Sequence, residues 1–143
     1  MKLLILTIAL LLSGCVVYPI NKTLQPNAEI LVTDVEGKPI QDAWVTLISS
    51  SYPYGREQMR RGDKTSYRGE ARFPNIKEWR TESLMIHGSN VFFWNWCVVK
   101  AGFETHTTMW SSGQDFQPQY GVTLTAGEST PCPEEPNKIG CGL

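Results

Sequence analysis

Residues 91–101 read VFFWNWCVVKA, and no other segment constrains the fold as strongly. The segment is rich in β-branched and aromatic side chains, which is typical of a strand. It is apolar at odd and at even positions, so both of its faces are expected to be covered. We therefore expect it to lie at the centre of a sheet.

A second strong strand is predicted over residues 42–50, DAWVTLISS. Its side chains alternate, so that Ala43, Val45 and Leu47 share one face of a strand and Trp44 lies on the other. The large aromatic side chain on that second face suggests that it too is partly covered.

Further strands are predicted from β-branched and aromatic runs bounded by turn residues. With the two strands above, the predicted strands cover residues 29–34, 42–50, two short stretches within 65–73, 91–101, 104–110 and 120–125. Residues 51–63 are polar and are expected to form a long connection. About seven short strands separated by turns predict an all-β sandwich.

One short helix is predicted near residues 75–87. Asn75 could cap its start, Ile76 and Trp79 fall on one face at helical spacing, and Gly88 could end it.

The chain opens with MKLLILTIALLLSGC, one basic residue followed by a short apolar run. The run is too short to span a bilayer and has the pattern of a secretory signal peptide. Its end, Leu12-Ser13-Gly14-Cys15, resembles the lipobox of bacterial lipoproteins. The alternative is an ordinary signal peptide with a chance cysteine.

The lipoprotein resemblance implies that residues 1–14 are removed and that Cys15 is acylated. Several acyl chains make a stable membrane anchor. Residue 16 is valine rather than aspartate, which by the same resemblance favours the outer membrane facing the periplasm. Residues 15–27 contain two prolines and several polar residues, and are expected to form a lipidated tether.

Charge is unevenly distributed along a chain whose net charge is −1, a value that argues against a nucleic-acid partner. Residues 56–80 carry eight basic and four acidic side chains. Such a segment can steer an anionic partner, or it can be a solvated loop with incidental arginines. The candidate partner-binding residues combine aromatic and arginine side chains, as interfaces often do: Tyr52, Tyr54, Arg56, Arg60 and Arg61.

Three cysteines remain once Cys15 is set aside, and an oxidising compartment favours a disulfide. A Cys97–Cys132 bridge would pin the tail to the sheet and is the preferred pairing. A Cys132–Cys141 bridge would close only a local loop. No metal site or cofactor is expected, since the chain has no CxxC motif and its two histidines are far apart in sequence.

Three spaced motifs resemble the carboxypeptidase regulatory-like domain, a transthyretin-like β-sandwich. They are Val32-x-Asp34-x-x-Gly37-x-Pro39-Ile40-x-x-Ala43-x-Val45-x-Leu47, Thr65-x-x-x-Gly69-x-Ala71-x-Phe73 and Val99-x-Ala101-Gly102-Phe103-Glu104. The resemblance implies a domain over residues 28–126, followed by an irregular cysteine-containing tail over 127–143. These motifs specify a scaffold and contain no catalytic residue.

A non-catalytic, lipid-anchored envelope protein is therefore the predicted function, as a binding or structural accessory module. Its partners would be the membrane, through Cys15, and an envelope protein or an anionic glycan. One alternative is a subunit of an envelope machine, because the outer-membrane lipoprotein of type VI secretion has a similar sandwich. A transthyretin-related hydrolase is less favoured: its C-terminal Tyr-Arg-Gly-Ser is matched only internally, by Tyr67-Arg68-Gly69-Glu70.

Overall fold

The computed structural model describes residues 17–52, 56–83 and 91–134, which form an all-β, sandwich-like fold. This confirms the predicted fold class. Within these residues there are nine strands and no helix. The strands are β1 (Val17–Gln25), β2 (Ala28–Asp34), β3 (Trp44–Tyr52), β4 (Arg56–Lys64), β5 (Glu70–Phe73), β6 (Ile76–Ser83), β7 (Val91–Val99), β8 (His106–Thr107) and β9 (Gln119–Leu124).

The strands form two sheets and a two-stranded ribbon. The larger sheet has the order β4-β3-β7-β8 and is antiparallel throughout. The smaller sheet has the order β5-β2-β9, in which β2 pairs antiparallel with β5 and parallel with β9. Strands β1 and β6 pair only with each other and form an antiparallel ribbon. Along the chain, β1 precedes β2 and β6 follows β5.

The core lies between the two sheets and is built from alternate residues of their strands, as the period of two requires. Val45 and Leu47 of β3 are fully buried, as predicted, and so is Trp96 of β7. Phe73 packs edge-on against Trp96 with ring centroids 5.3 Å apart. Strand β7 lies between β3 and β8, so its predicted interior position in a sheet is confirmed.

The helix predicted near residues 75–87 is wrong where the structure describes it, since Ile76–Ser83 is strand β6. Residues 84–87 lie outside the described part. The β6 backbone groups pair with β1, with Thr81 opposite Pro19 and Lys77 opposite Thr23. This long-range pairing outweighs the weak local preference for a helix.

Most of the predicted tether is also ordered strand, because Val17–Gln25 forms β1. Its composition suits a two-stranded ribbon, in which each strand is an edge and Pro19 removes no central hydrogen bond. The end next to the core is fixed by Gln25, a fully buried side chain whose Nε2 donates to the Pro74 carbonyl oxygen. The predicted mature chain, which begins at Cys15, therefore has two residues before the start of β1.

The polar segment 51–63 was expected to be a connection, yet most of it belongs to strands. Strand β3 extends to Tyr52, and Arg56–Lys64 forms β4 at one edge of the larger sheet. Charged side chains are common on edge strands because they oppose pairing with other chains. In the described part of the chain, no helix is long and apolar enough to cross a membrane.

Candidate functional site: a groove beside the C-terminal strap

The predicted disulfide between Cys97 and Cys132 is present, with a sulfur–sulfur distance of 2.03 Å. Cys97 is fully buried in the middle of β7, on the side of the larger sheet that faces away from the core. The bond therefore holds the tail against the outer face of this sheet. Cys141, the other candidate partner of Cys132, lies outside the described residues.

Residues 130–134, called the strap below, are attached at three points across that outer face. Near β8, Thr105 Oγ1 donates to the Thr130 carbonyl oxygen and accepts from the Thr130 amide at 3.0 Å. At β7 the disulfide holds the strap. At β4, Arg60 Nη2 donates to the Pro133 carbonyl oxygen at 2.6 Å. The strap thus crosses the larger sheet from β8 to β4.

Arg60, which binds the strap, is itself fixed by an ion pair within β4. Its Nε and Nη2 donate to the two carboxylate oxygens of Glu57 at 2.9 and 2.8 Å, a bidentate ion pair. The hydrogen bonds to Glu57 raise the pKa of Arg60 above its ordinary value, whereas burial lowers it. The negative charges of Glu57 and Glu134 also raise this pKa. The positive charge of Arg60 is therefore already balanced within the protein.

A groove of about 290 Å³ lies between the strap and the segment that follows β8. Its lining mixes apolar side chains with hydroxyl, amide and charged groups. The residues are Ile48, Ser50, Glu57, Arg60, Asn95, Thr107, Thr108, Met109, Trp110, Pro133 and Glu134.

Asn95 of β7 organises one wall of this groove. Its Oδ1 accepts from the Trp110 amide at 2.7 Å and from Thr108 Oγ1 at 3.0 Å, and its Nδ2 donates to the Trp110 carbonyl oxygen at 3.0 Å. Both residues flanking Met109 are thus fixed to β7, while the Met109 side chain is 90% exposed. Asn95 is the one amide in the otherwise apolar residues 91–99, and that isolated polar group is the sequence signal for this wall.

Arg60 and Arg61 point to opposite sides of the larger sheet. Arg60 lies opposite Ile48, which lines the groove, and Arg61 lies opposite Leu47, which is buried in the core. Directly opposed residues in an antiparallel pair share a face. Because β4 is an edge strand, Arg61 remains exposed on its side. The two neighbouring arginines therefore do not form one patch.

The other predicted binding residues lie at one end of the larger sheet. Tyr52 ends β3, is exposed and is paired with Val91, the first residue of β7. Arg56 begins β4 opposite Ser51 and is exposed. Tyr54 lies outside the described residues. Of the four predicted residues that the structure describes, only Arg60 lines the groove.

Within the described ranges, no group of three or more His, Cys, Asp or Glu side chains is arranged so that it could hold a metal ion. His106 Nε2 lies 3.1 Å from the Tyr120 hydroxyl, with the two rings in contact. Burial lowers the pKa of His106. His87 lies outside the described ranges.

The chain matches no protein-family model, no curated protein and no solved structure.

Proposed function

We propose that this chain is a lipid-anchored protein of the cell envelope whose β-sandwich is a non-catalytic binding or structural module. The sequence Leu12-Ser13-Gly14-Cys15 after a short apolar run supports the anchor. The Cys97–Cys132 disulfide is consistent with an oxidising compartment such as the periplasm. The resemblance to the carboxypeptidase regulatory-like domain supports a scaffold role.

The observation that carries the binding role is the exposed Met109, held between two residues that Asn95 fixes. Protein interfaces are enriched in methionine and in aromatic side chains. An ordered backbone also lowers the entropy that a partner's binding would cost. We infer that the groove binds an apolar segment of another envelope protein.

An anionic glycan is the less favoured partner for this groove. Among the described lining residues the one basic side chain is Arg60, and it is already paired with Glu57 and with the strap. Glu134 adds a further carboxylate to the lining. A glycan carrying negative charge would have to compete with these internal contacts.

Mass spectrometry of the N-terminal peptide tests the anchor. The wild-type protein should begin at an acylated Cys15, and Cys15→Ser should remove the acyl mass and release the protein from the membrane fraction. Cys141→Ser is the matched control and should leave both unchanged. A wild-type protein that carries no acyl group would refute the anchor.

A photo-crosslinking amino acid at position 109, used in intact cells, tests the groove. A discrete adduct is expected from position 109 and not from position 67, where an exposed tyrosine lies outside the groove. Arg60→Ala should reduce the adduct because it loosens the strap, and Arg61→Ala should not. An adduct that is reduced by Arg61→Ala and not by Arg60→Ala would instead favour a partner on the side of the larger sheet that carries Arg61.

A further inference from the structure

The distance between the proposed anchor and the folded protein is very short. β1 begins at Val17, so one residue, Val16, separates it from Cys15. Extended chain spans at most about 3.5 Å per residue, so the Cα atoms of Cys15 and Val17 are within about 7 Å. If Cys15 is acylated, as the proposed function requires, the start of β1 must lie at the membrane surface.

The contacts of the ribbon show which end of the sandwich lies beside Val17. Trp94 Nε1 of β7 donates to the Leu24 carbonyl oxygen of β1 at 2.8 Å. Farther along the ribbon, the Arg80 guanidinium lies over the Phe92 ring, 5.5 Å from its centroid. Arg80 also reaches β4, where its Nη1 donates to Gln58 Oε1 at 2.7 Å. The ribbon therefore crosses the larger sheet while it advances from the level of Trp94 to that of Phe92.

β1, followed back from Leu24 to its start, therefore runs towards the same end of the larger sheet as β7 followed back from Trp94. Arg80 pairs with Ile20, and from there β1 continues to Val17 as β7 continues from Phe92 to Val91. Tyr52 belongs to this end as well, since it is the register partner of Val91.

Three exposed apolar or aromatic side chains share this end. Val17 is 59% exposed, Tyr52 61% and Val91 52%. Isolated exposed apolar residues are common on protein surfaces and need no explanation. The significance of these three is their position, at the end from which the acylated residue would emerge. Tyrosine in particular favours the membrane–water interface.

The ribbon is held together at this end by an ion pair with little access to water. Glu82 is only 7% exposed; its Oε1 lies 2.9 Å from Lys22 Nζ, and its Oε2 accepts from the Tyr18 hydroxyl at 3.5 Å. Removing one partner from such a pair would be costly, so the end of the ribbon resists fraying. An anchor at Cys15 would therefore constrain the whole fold, as it could not through a flexible chain.

We propose that the occupant of this end is the lipid bilayer, and that the sandwich docks end-on with Val17, Tyr52 and Val91 at the headgroup level. The protein would then stand directly on the membrane. The proposal rests on acylation of Cys15 and adds a docking surface to it.

Spin labels on two matched valines test the docking. Val91→Cys and Val35→Cys are made in the full chain with Cys141→Ser. Val35 is 68% exposed and follows β2, which runs away from the ribbon. The acylated proteins are reconstituted in vesicles of phosphatidylethanolamine and phosphatidylglycerol. Collisions of each label with oxygen and with a water-soluble nickel chelate are then measured.

The label at position 91 should lose access to the nickel chelate and gain access to oxygen, whereas the label at position 35 should stay open to water. Tyr52→Cys, labelled in the same way, should behave like position 91 and covers the case in which the first variant fails to fold. Equal access to the chelate at all three positions, in protein whose mass confirms acylation, overturns the docking alone. Absence of the acyl mass overturns the proposed function itself.

Discussion

Reduction of the Cys97–Cys132 disulfide should destabilise the fold by several kcal/mol. The two cysteines are 35 residues apart in sequence. In the chain-entropy treatment, closing a loop of that length lowers the conformational entropy of the unfolded state. This raises the free energy of the unfolded state by about 4 kcal/mol at 25 °C. The strap's other attachments, at Thr105 and Arg60, persist in the folded state and are not covalent, so they do not restrict the unfolded chain.

Urea unfolding of the oxidised and the dithiothreitol-reduced protein measures this effect. Both samples carry Cys141→Ser, so that no other thiol can pair with the strap. With a slope of about 2 kcal/mol per molar urea, a loss of about 4 kcal/mol lowers the midpoint by about 2 M. Cys132→Ser should unfold like the reduced protein whether or not reductant is present. A midpoint that moves by less than about 0.5 M would refute the reasoning, since a shift that small is only about 1 kcal/mol.

Three smaller predictions concern single side chains. Thr65→Val should cost about 1–3 kcal/mol of unfolding free energy, because its buried hydroxyl bonds two backbone groups, while the exposed Thr123→Val should change it by less than about 0.5 kcal/mol. Gly69→Ala should destabilise more than Gly37→Ala in thermal unfolding; both glycines have positive φ, but only at Gly69 would a Cβ meet a carbonyl oxygen, at 2.5 Å. The lowered pKa of His106 means that the unfolded chain binds the proton more tightly. Stability should therefore fall as pH drops through 6.5 towards the lowered pKa, and urea titrations of His106→Asn should show a flatter pH dependence.

The predicted strand faces of the core were confirmed because they depend on local geometry. Ala43, Val45 and Leu47, which were predicted to share one face of a strand, are all buried. Side chains of a strand alternate whatever its neighbours are, so the apolar face can be read from spacing alone. The preferred Cys97–Cys132 pairing was also confirmed, although the sequence did not separate Cys132 from Cys141, since both lie in the turn-rich tail.

The ribbon could not be predicted in the same way, because neither of its strands is apolar along one face. Val17 pairs with Ser83, a residue 66 positions later in the chain. The contacts that stabilise β1, such as the Lys22–Glu82 ion pair, can form only when β6 is in place. The contacts that stabilise β6 require β1 in the same way. Each segment examined alone therefore resembles a tether or a helix.

The candidate site was missed for a related reason. Its groove is assembled from β3, β4, β7, β8 with the segment that follows it, and the strap, and most of these are far apart in sequence. The assignment of residues 51–63 to a loop also grouped Arg60 with Arg61. Once that segment is known to be a strand, alternation places the two side chains on opposite faces.

The two proposals together limit which partners could reach the groove. Ser50 lines the groove and lies two residues before Tyr52, the aromatic residue at the proposed membrane end. With a rise of about 3.4 Å per residue, the groove begins about 7 Å from that end. A protein docked end-on would therefore hold the groove beside the bilayer surface and open to the side. This position favours a membrane protein or another anchored protein as the partner, because such a protein can hold an apolar segment close to the headgroups. Crosslinks from position 109 should accordingly be found with membrane-associated proteins.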